Sequence, residues 1–218
     1  MVAMADHNTS YPKYSRAEIL ADGLVHALGL AASVIGISLF LAYRWDHIST
    51  GQLVALCVYW VGLIAMFTVS GAYHMTPWER FRAHLRRADH ATIFLKIAGT
   101  YTPFVVTIGT AFGYAVLAIV WALAAFGAIT KLFRWSAPGR WNAALYVGLG
   151  WISVALMWSV FETSAAAGWC AAAGGILYTA GILFFKWESL RFSNAIWHGF
   201  VVAASGFFFA AVSLAVSA

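Results

Sequence analysis

Charge is what this chain has least of. Only 10% of its 218 residues are Asp, Glu, Lys or Arg, where a soluble domain carries about 25%, so a soluble globular domain is excluded. Cysteine is scarce as well. Cys57 and Cys170 both lie inside apolar stretches, which excludes a disulfide framework and predicts two small buried hydrophobes. The period-2 alternation of a transmembrane barrel strand is missing, as are a phosphate loop, a dinucleotide fingerprint, a haem motif and a serine-hydrolase elbow. No cleavable signal peptide is apparent, because the first twenty residues are polar and the first apolar run is long enough to span a bilayer. Acidic residues are outnumbered 8 to 13, for a net charge of +5. The excess sits in short loops between apolar runs, which fits anionic lipid at a membrane surface and argues against a nucleic-acid partner.

What the chain does have is hydrophobicity, at 62% of positions. A span takes about 20 predominantly apolar residues. Seven runs qualify: 24–43, 53–73, 93–110 with a bend expected at Thr102-Pro103, 114–130, 143–161, 165–185 and 196–216. The weakest divider is Gly109-Thr-Ala-Phe-Gly113, which carries no charge. The expected fold is an all-α integral membrane protein, a seven-transmembrane-helix bundle. Residues 1–22 form an N-terminal tail and helix start, and 23–218 a single membrane domain.

Lys and Arg positions set the orientation. Lys13, Arg16, Arg80, Arg82, Arg86, Arg87, Lys131, Arg134, Arg140, Lys186 and Arg191 fall on the tail and on alternate loops, against Arg44 alone on the other side. The N-terminus is therefore expected in the cytoplasm and the C-terminus outside. Trp45, Trp78, Trp135, Trp141 and Trp187 are placed for an aromatic belt. Gly148-Leu-Gly150, Gly174-Gly175 and Gly181 are expected to bring spans five and six close together.

With that topology, polar residues gather at one level. His74 ends span two, one turn after Ser70; Asp89 opens span three; His198 opens span seven, one turn after Asn194. Residues four apart share a helix face, and Glu18, Asp22 and His26 make a third such stripe leading into span one. Ionisable groups in membrane segments are functional candidates by default. Imidazole is a favoured ligand of Zn²⁺, and catalytic zinc keeps three protein ligands and a water. A neighbouring carboxylate can orient a ligand or act as general base. His90 and Thr92 read as the polar start of span three, and His7, His47 and His84 as solvated. Lys96 lies about 10 Å deeper than Asp89 by helical rise; it either faces the bundle core, near Asp89 or water, or snorkels to an interface.

The segments 70–74 (SGAYH), 86–104 (RRADHATIFLKIAGTYTPF) and 195–203 (AIWHGFVVA) resemble the hemolysin III family, the bacterial branch of the progestin and adipoQ receptor (PAQR) group, which is distantly related to alkaline ceramidases. The resemblance covers nearly the whole chain. Glu18-x₃-Asp22-x₃-His26 is similar to the family's first motif, usually Glu, Asn and His, with Asp22 in the Asn place. The resemblance implies a zinc site near the cytoplasmic face of a bacterial inner-membrane protein. Carried over residue by residue, His74 and His198 match metal ligands, Asp89 the neighbouring Asp and Ser70 the neighbouring Ser. Asn194 stands where a third His is expected, and Phe208 where relatives often carry a further His. A neutral amide oxygen is a poor zinc ligand. Three outcomes are open: Asp89 joins the ligands, His26 or His90 substitutes, or the metal is lost and a polar network kept.

These residues suggest a zinc-dependent hydrolase of a lipid amide or ester, with Asp89 and Ser70 catalytic and membrane lipids as partners. The alternative is a non-catalytic membrane protein that senses lipid or modulates permeability, associated with cytolysis. A transporter is disfavoured for want of paired broken helices.

Overall fold

The computed structural model describes residues 14–133, 141–187 and 189–218, with side chains left out at 141–144. These residues form α-helices and one short 3-10 turn, with no strand among them. Seven helical segments are long and apolar enough to cross a membrane. Four spans are single helices in sequence: α1 (Arg16–Arg44), α2 (Thr50–Met75), α3 (Glu79–Ile108) and α4 (Ala111–Phe133). The fifth is interrupted, as α5 (Trp141–Trp151) and α6 (Val154–Thr163), and the last two are α7 (Ala165–Lys186) and α8 (Ser193–Val216).

Local chemistry explains the boundaries. Ser15 caps α1 and its backbone N–H donates to the Glu18 carboxylate at 2.9 Å, a reciprocal capping box that starts the helix ahead of its apolar run. Ser49 and Gln52 do the same for α2. The uncharged divider is real: α3 ends at Gly109, which takes a left-handed φ of 68° and returns its N–H to the Val105 carbonyl. Pro103 lies within α3 without ending it. At the break in span five the Gly150 carbonyl accepts the Ser153 N–H at 3.1 Å, and the Tyr101 hydroxyl of α3 lies 2.8 Å from the carbonyls of both Leu149 and Gly150, as a shared donor.

Two apolar clusters fill the bundle. One joins α1, α2, α7 and α8 around Leu56, Tyr59, Leu63, Phe67 and Val212. The other packs α3 against α4, α5 and α6 through Phe94, Tyr101, Val105 and Val120. α3 lies between them, and its Phe104 belongs to the first cluster. The remaining helix faces expose Leu24, Val61, Phe126, Trp158 and Leu183, as lipid contact requires.

That outer surface corrects two expectations. Cys57 is exposed and Cys170 half-buried, both as free thiols; apolar neighbours do not imply burial when the solvent is itself apolar. The glycines do not join spans five and six. A Cβ at Gly174 would meet Phe208 at 2.8 Å and one at Gly181 would meet Phe200 at 2.8 Å, so both seat α7 on α8. Gly148, Gly150 and Gly175 have open space beside them.

Trp45, Trp78 and Trp187 are exposed at helix ends, as a belt requires; Trp135 and the Trp141 side chain lie outside the described residues. At the end where α1 finishes, the Arg44 guanidinium donates to the Ser217 carbonyl at 3.1 Å, fastening α1 to the last turn of α8.

Candidate metal centre

The end of the bundle where α1, α3 and α8 begin is here called the proximal end. α2 finishes there too, so residues far apart in sequence meet. Ser70 and His74 come from α2, Asp89 from α3, His198 from α8, and Asp22 and His26 from α1. All but His74 are buried, and His74 nearly so.

The centre of this group is Asp22. Its carboxylate is hydrogen-bonded to the Nδ1 of His198 at 2.6 Å, and the Nδ1 atoms of His74 and His26 lie 3.5 and 3.7 Å from it. The rings pack on one another as well, with His26 and His198 centroids 4.3 Å apart and His74 and His198 4.8 Å apart. His26 is held at both nitrogens, Nδ1 at 2.8 Å from the Asp22 carbonyl and Nε2 at 3.1 Å from the Ser70 hydroxyl. The Asp89 carboxylate lies near the Ser70 hydroxyl. The chain of contacts runs from Ser70 through His26 to Asp22 and His198.

The donors suit a metal ion. One ligand atom from each of Asp22, His26 and His198 fits within 4.8 Å of the others. Bonds of about 2.0–2.2 Å set tetrahedral donors about 3.3 Å apart. The 3.5 and 3.7 Å separations are close to that, and the 2.6 Å contact needs to open by less than about 1 Å. Beside the carboxylate lies a cavity of about 10 Å³ lined by Tyr14, Glu18, Ile19, Asp22, His74 and Asn194, room for roughly one water.

The structure places Ser70, His74, Asp89 and His198 at one end of the bundle and puts other residues at the centre. Asp22, read from the sequence only as part of a stripe leading into span one, and His26, read also as a possible substitute ligand, hold the middle. Their i, i+4 spacing on a buried face was the available signal. Asn194 lines the cavity next to Asp22. Glu18 is a positioning residue. Its carboxylate caps α1 and accepts the Phe192 N–H at 3.1 Å, tying the start of α8 to α1. His90 does not substitute for a ligand in this arrangement; it turns away to α5, with Nδ1 at 3.1 Å from the Tyr146 hydroxyl.

Lys96 also stands apart. It is 3% exposed, so it does not snorkel, and its neighbour is not Asp89. The ammonium donates to the Tyr178 hydroxyl at 2.5 Å and lies 4.4 Å from that ring's centre. Tyr178 in turn shares a hydrogen bond of 2.7 Å with Ser205.

Comparison with known proteins agrees with this architecture. Residues 17–209 match the Haemolysin-III related family. Hemolysin-3 of Bacillus cereus is 32% identical over 208 residues, covering 94% of each chain. The Hemolysin-3 homolog of Bacillus subtilis (strain 168) is 28% identical over 194 residues, or 88% of this chain and 91% of the relative. The human monocyte to macrophage differentiation factor is 26% identical over 208 residues, or 89% of this chain and 83% of the relative. The chain belongs to the Haemolysin-III related family.

Proposed function

We propose that this member of the Haemolysin-III related family is a zinc-dependent membrane hydrolase that cleaves a lipid amide or ester at the proximal end of its bundle. The observation that supports it best is the convergence of three imidazoles on one buried carboxylate, with a second buried carboxylate and a serine alongside. His74 and His198 would hold the metal together with a buried carboxylate of this cluster, and the metal when bound would supply an activated water and polarise the scissile carbonyl.

The protein groups divide the remaining work. Asp89 acts as general base toward the attacking water and returns the proton to the leaving group. Ser70, in hydrogen-bond contact with His26, donates its hydroxyl proton to the developing oxyanion. His26 keeps Ser70 and Asp22 in register through its two nitrogens. The proximal end faces the cytoplasm under this reading, since basic residues dominate the tail and the loops on that side. The chain then resides in the bacterial inner membrane, with membrane lipids as partners.

The test uses the purified full-length chain in detergent. Zinc by elemental analysis and release of fatty acid from lipid amides and esters are expected together, with chelator abolishing turnover. Asp89→Asn should retain the metal and lose about 10²–10⁴-fold in rate. A lipid profile that responds equally to overexpressed wild type and Asp89→Asn overturns the enzymatic reading. In that event the second reading applies, a non-catalytic sensor or permeability protein associated with cytolysis. It is favoured by the small volume beside the cluster, about 10 Å³, and by the name of the Bacillus cereus relative, Hemolysin-3.

A further inference from the structure

Asp22 poses an energetic problem that the hydrolase reading does not by itself address. Its carboxylate is buried within a membrane-spanning helix, and its ion-pair partners among the described residues are histidines alone, without a lysine or arginine. An unneutralised carboxylate in such a place is unfavourable unless a cation comes to it. The Nδ1 atoms of His198 and His74 lie 2.6 and 3.5 Å from its two oxygens, close enough for one ion to be shared by the carboxylate and both imidazoles.

The same cavity presents a complementary feature on α8. Asn194 lines the same small space as Asp22 and His74. It stands one turn before His198, where an imidazole would share the helix face of that ligand. An amide there offers a neutral oxygen that binds zinc poorly. The lining thus has a weak donor on α8 and an anionic one on α1.

We infer that Asp22 is itself a metal ligand and takes the place of the donor that Asn194 does not provide, so that the centre is a mixed carboxylate–imidazole site anchored on α1. This rests on the metal-binding reading above and specifies its donor set. The chemistry differs from that of an all-imidazole centre. One carboxylate cancels half of a divalent charge, which lowers the net charge left in the bundle. It also adds a hard oxygen donor, which broadens acceptance toward metals such as Mn²⁺ and Co²⁺. Asp89 is then left outside the donor set and available as a base.

The exchange can be reversed by mutation. Four full-length proteins are purified in detergent from metal-replete cells and their zinc, manganese and cobalt measured by elemental analysis: wild type, Asp22→Asn, Asn194→His and the double variant Asp22→Asn with Asn194→His. Wild type is expected to hold about one ion per chain and Asp22→Asn at least tenfold less. The double variant should regain about one ion, now with a stronger preference for zinc over manganese. That recovery shows that Asp22→Asn folds, so its loss cannot be ascribed to collapse of the bundle. Metal retained by Asp22→Asn overturns the inference while leaving the metal centre in place. Absence of recovery in a monodisperse double variant overturns the exchange. A metal-free wild type overturns the metal-binding reading itself, a result distinguishable from the other two.

Discussion

The bundle buries two ionisable clusters on the same pair of helices, and they solve the problem of charge in different ways. Asp89 and His198 belong to the proximal cluster; Lys96 and Ser205 lie seven residues further along α3 and α8, in the second. By helical rise the two are about 10 Å apart. At the proximal end, carboxylates meet imidazoles beside a small cavity. Deeper in, one ammonium meets hydroxyls and aromatic faces, with no carboxylate paired to it among the described residues. The proximal groups converge on a shared centre and can take up an ion from outside. Lys96 is satisfied by what already surrounds it, a phenol at hydrogen-bond distance and two rings within 5.4 Å. A site and a structural polar contact are thus distinguished by convergence and access, not by burial.

Three measurements bear on that contrast, all by thermal unfolding in detergent. The largest effect is expected at Asp22→Ala, which removes the acceptor shared by three imidazoles. A loss of about 3 kcal/mol is predicted, in the range for breaking a buried charged contact; a loss below about 1 kcal/mol would show that the cluster does not depend on its carboxylate. Tyr178→Phe comes next. It takes the hydroxyl from both Lys96 and Ser205, and about 2 kcal/mol should be lost, since a hydrogen bond to a charged group contributes about 1.5–3 kcal/mol. The smallest effect is expected for Lys96→Met, whose apolar chain fills the same space between Tyr178 and Phe208. Replacing a buried ionic group with a hydrophobe of similar size is often neutral or stabilising, so a change within about 1 kcal/mol is predicted. A large loss there would make Lys96 as integral as Asp22 and erase the contrast.

The span count was legible because a bilayer imposes length and apolarity on each helix regardless of its neighbours. Even the faint boundary at Gly109 could be found, since a left-handed turn between two apolar runs calls for glycine. The proximal level of Ser70, His74, Asp89 and His198 could also be read, because each stands at the end of a run. Faces were harder. Cys57 reads as core and turns outward, and Gly148 reads as a packing contact and meets nothing. In a soluble protein hydropathy separates inside from outside, but in lipid both sides of a helix are apolar and that signal vanishes. The break in span five had no such marker. Tyr101, 48 residues away in sequence from Leu149, bonds the carbonyls there.

The amino-acid sequence by itself determined that the chain spans a membrane with seven helices and carries Ser70, His74, Asp89 and His198 at one level, because those properties depend on local composition and period. Only the tertiary structure decided which of them form a centre. Asp22 and His198 are 176 residues apart and joined at 2.6 Å, a contact set by how α1 packs beside α8. Helix packing acts over distances in sequence that no local pattern records, and it made a residue of the first helix, rather than the third, the hub on which the histidines meet.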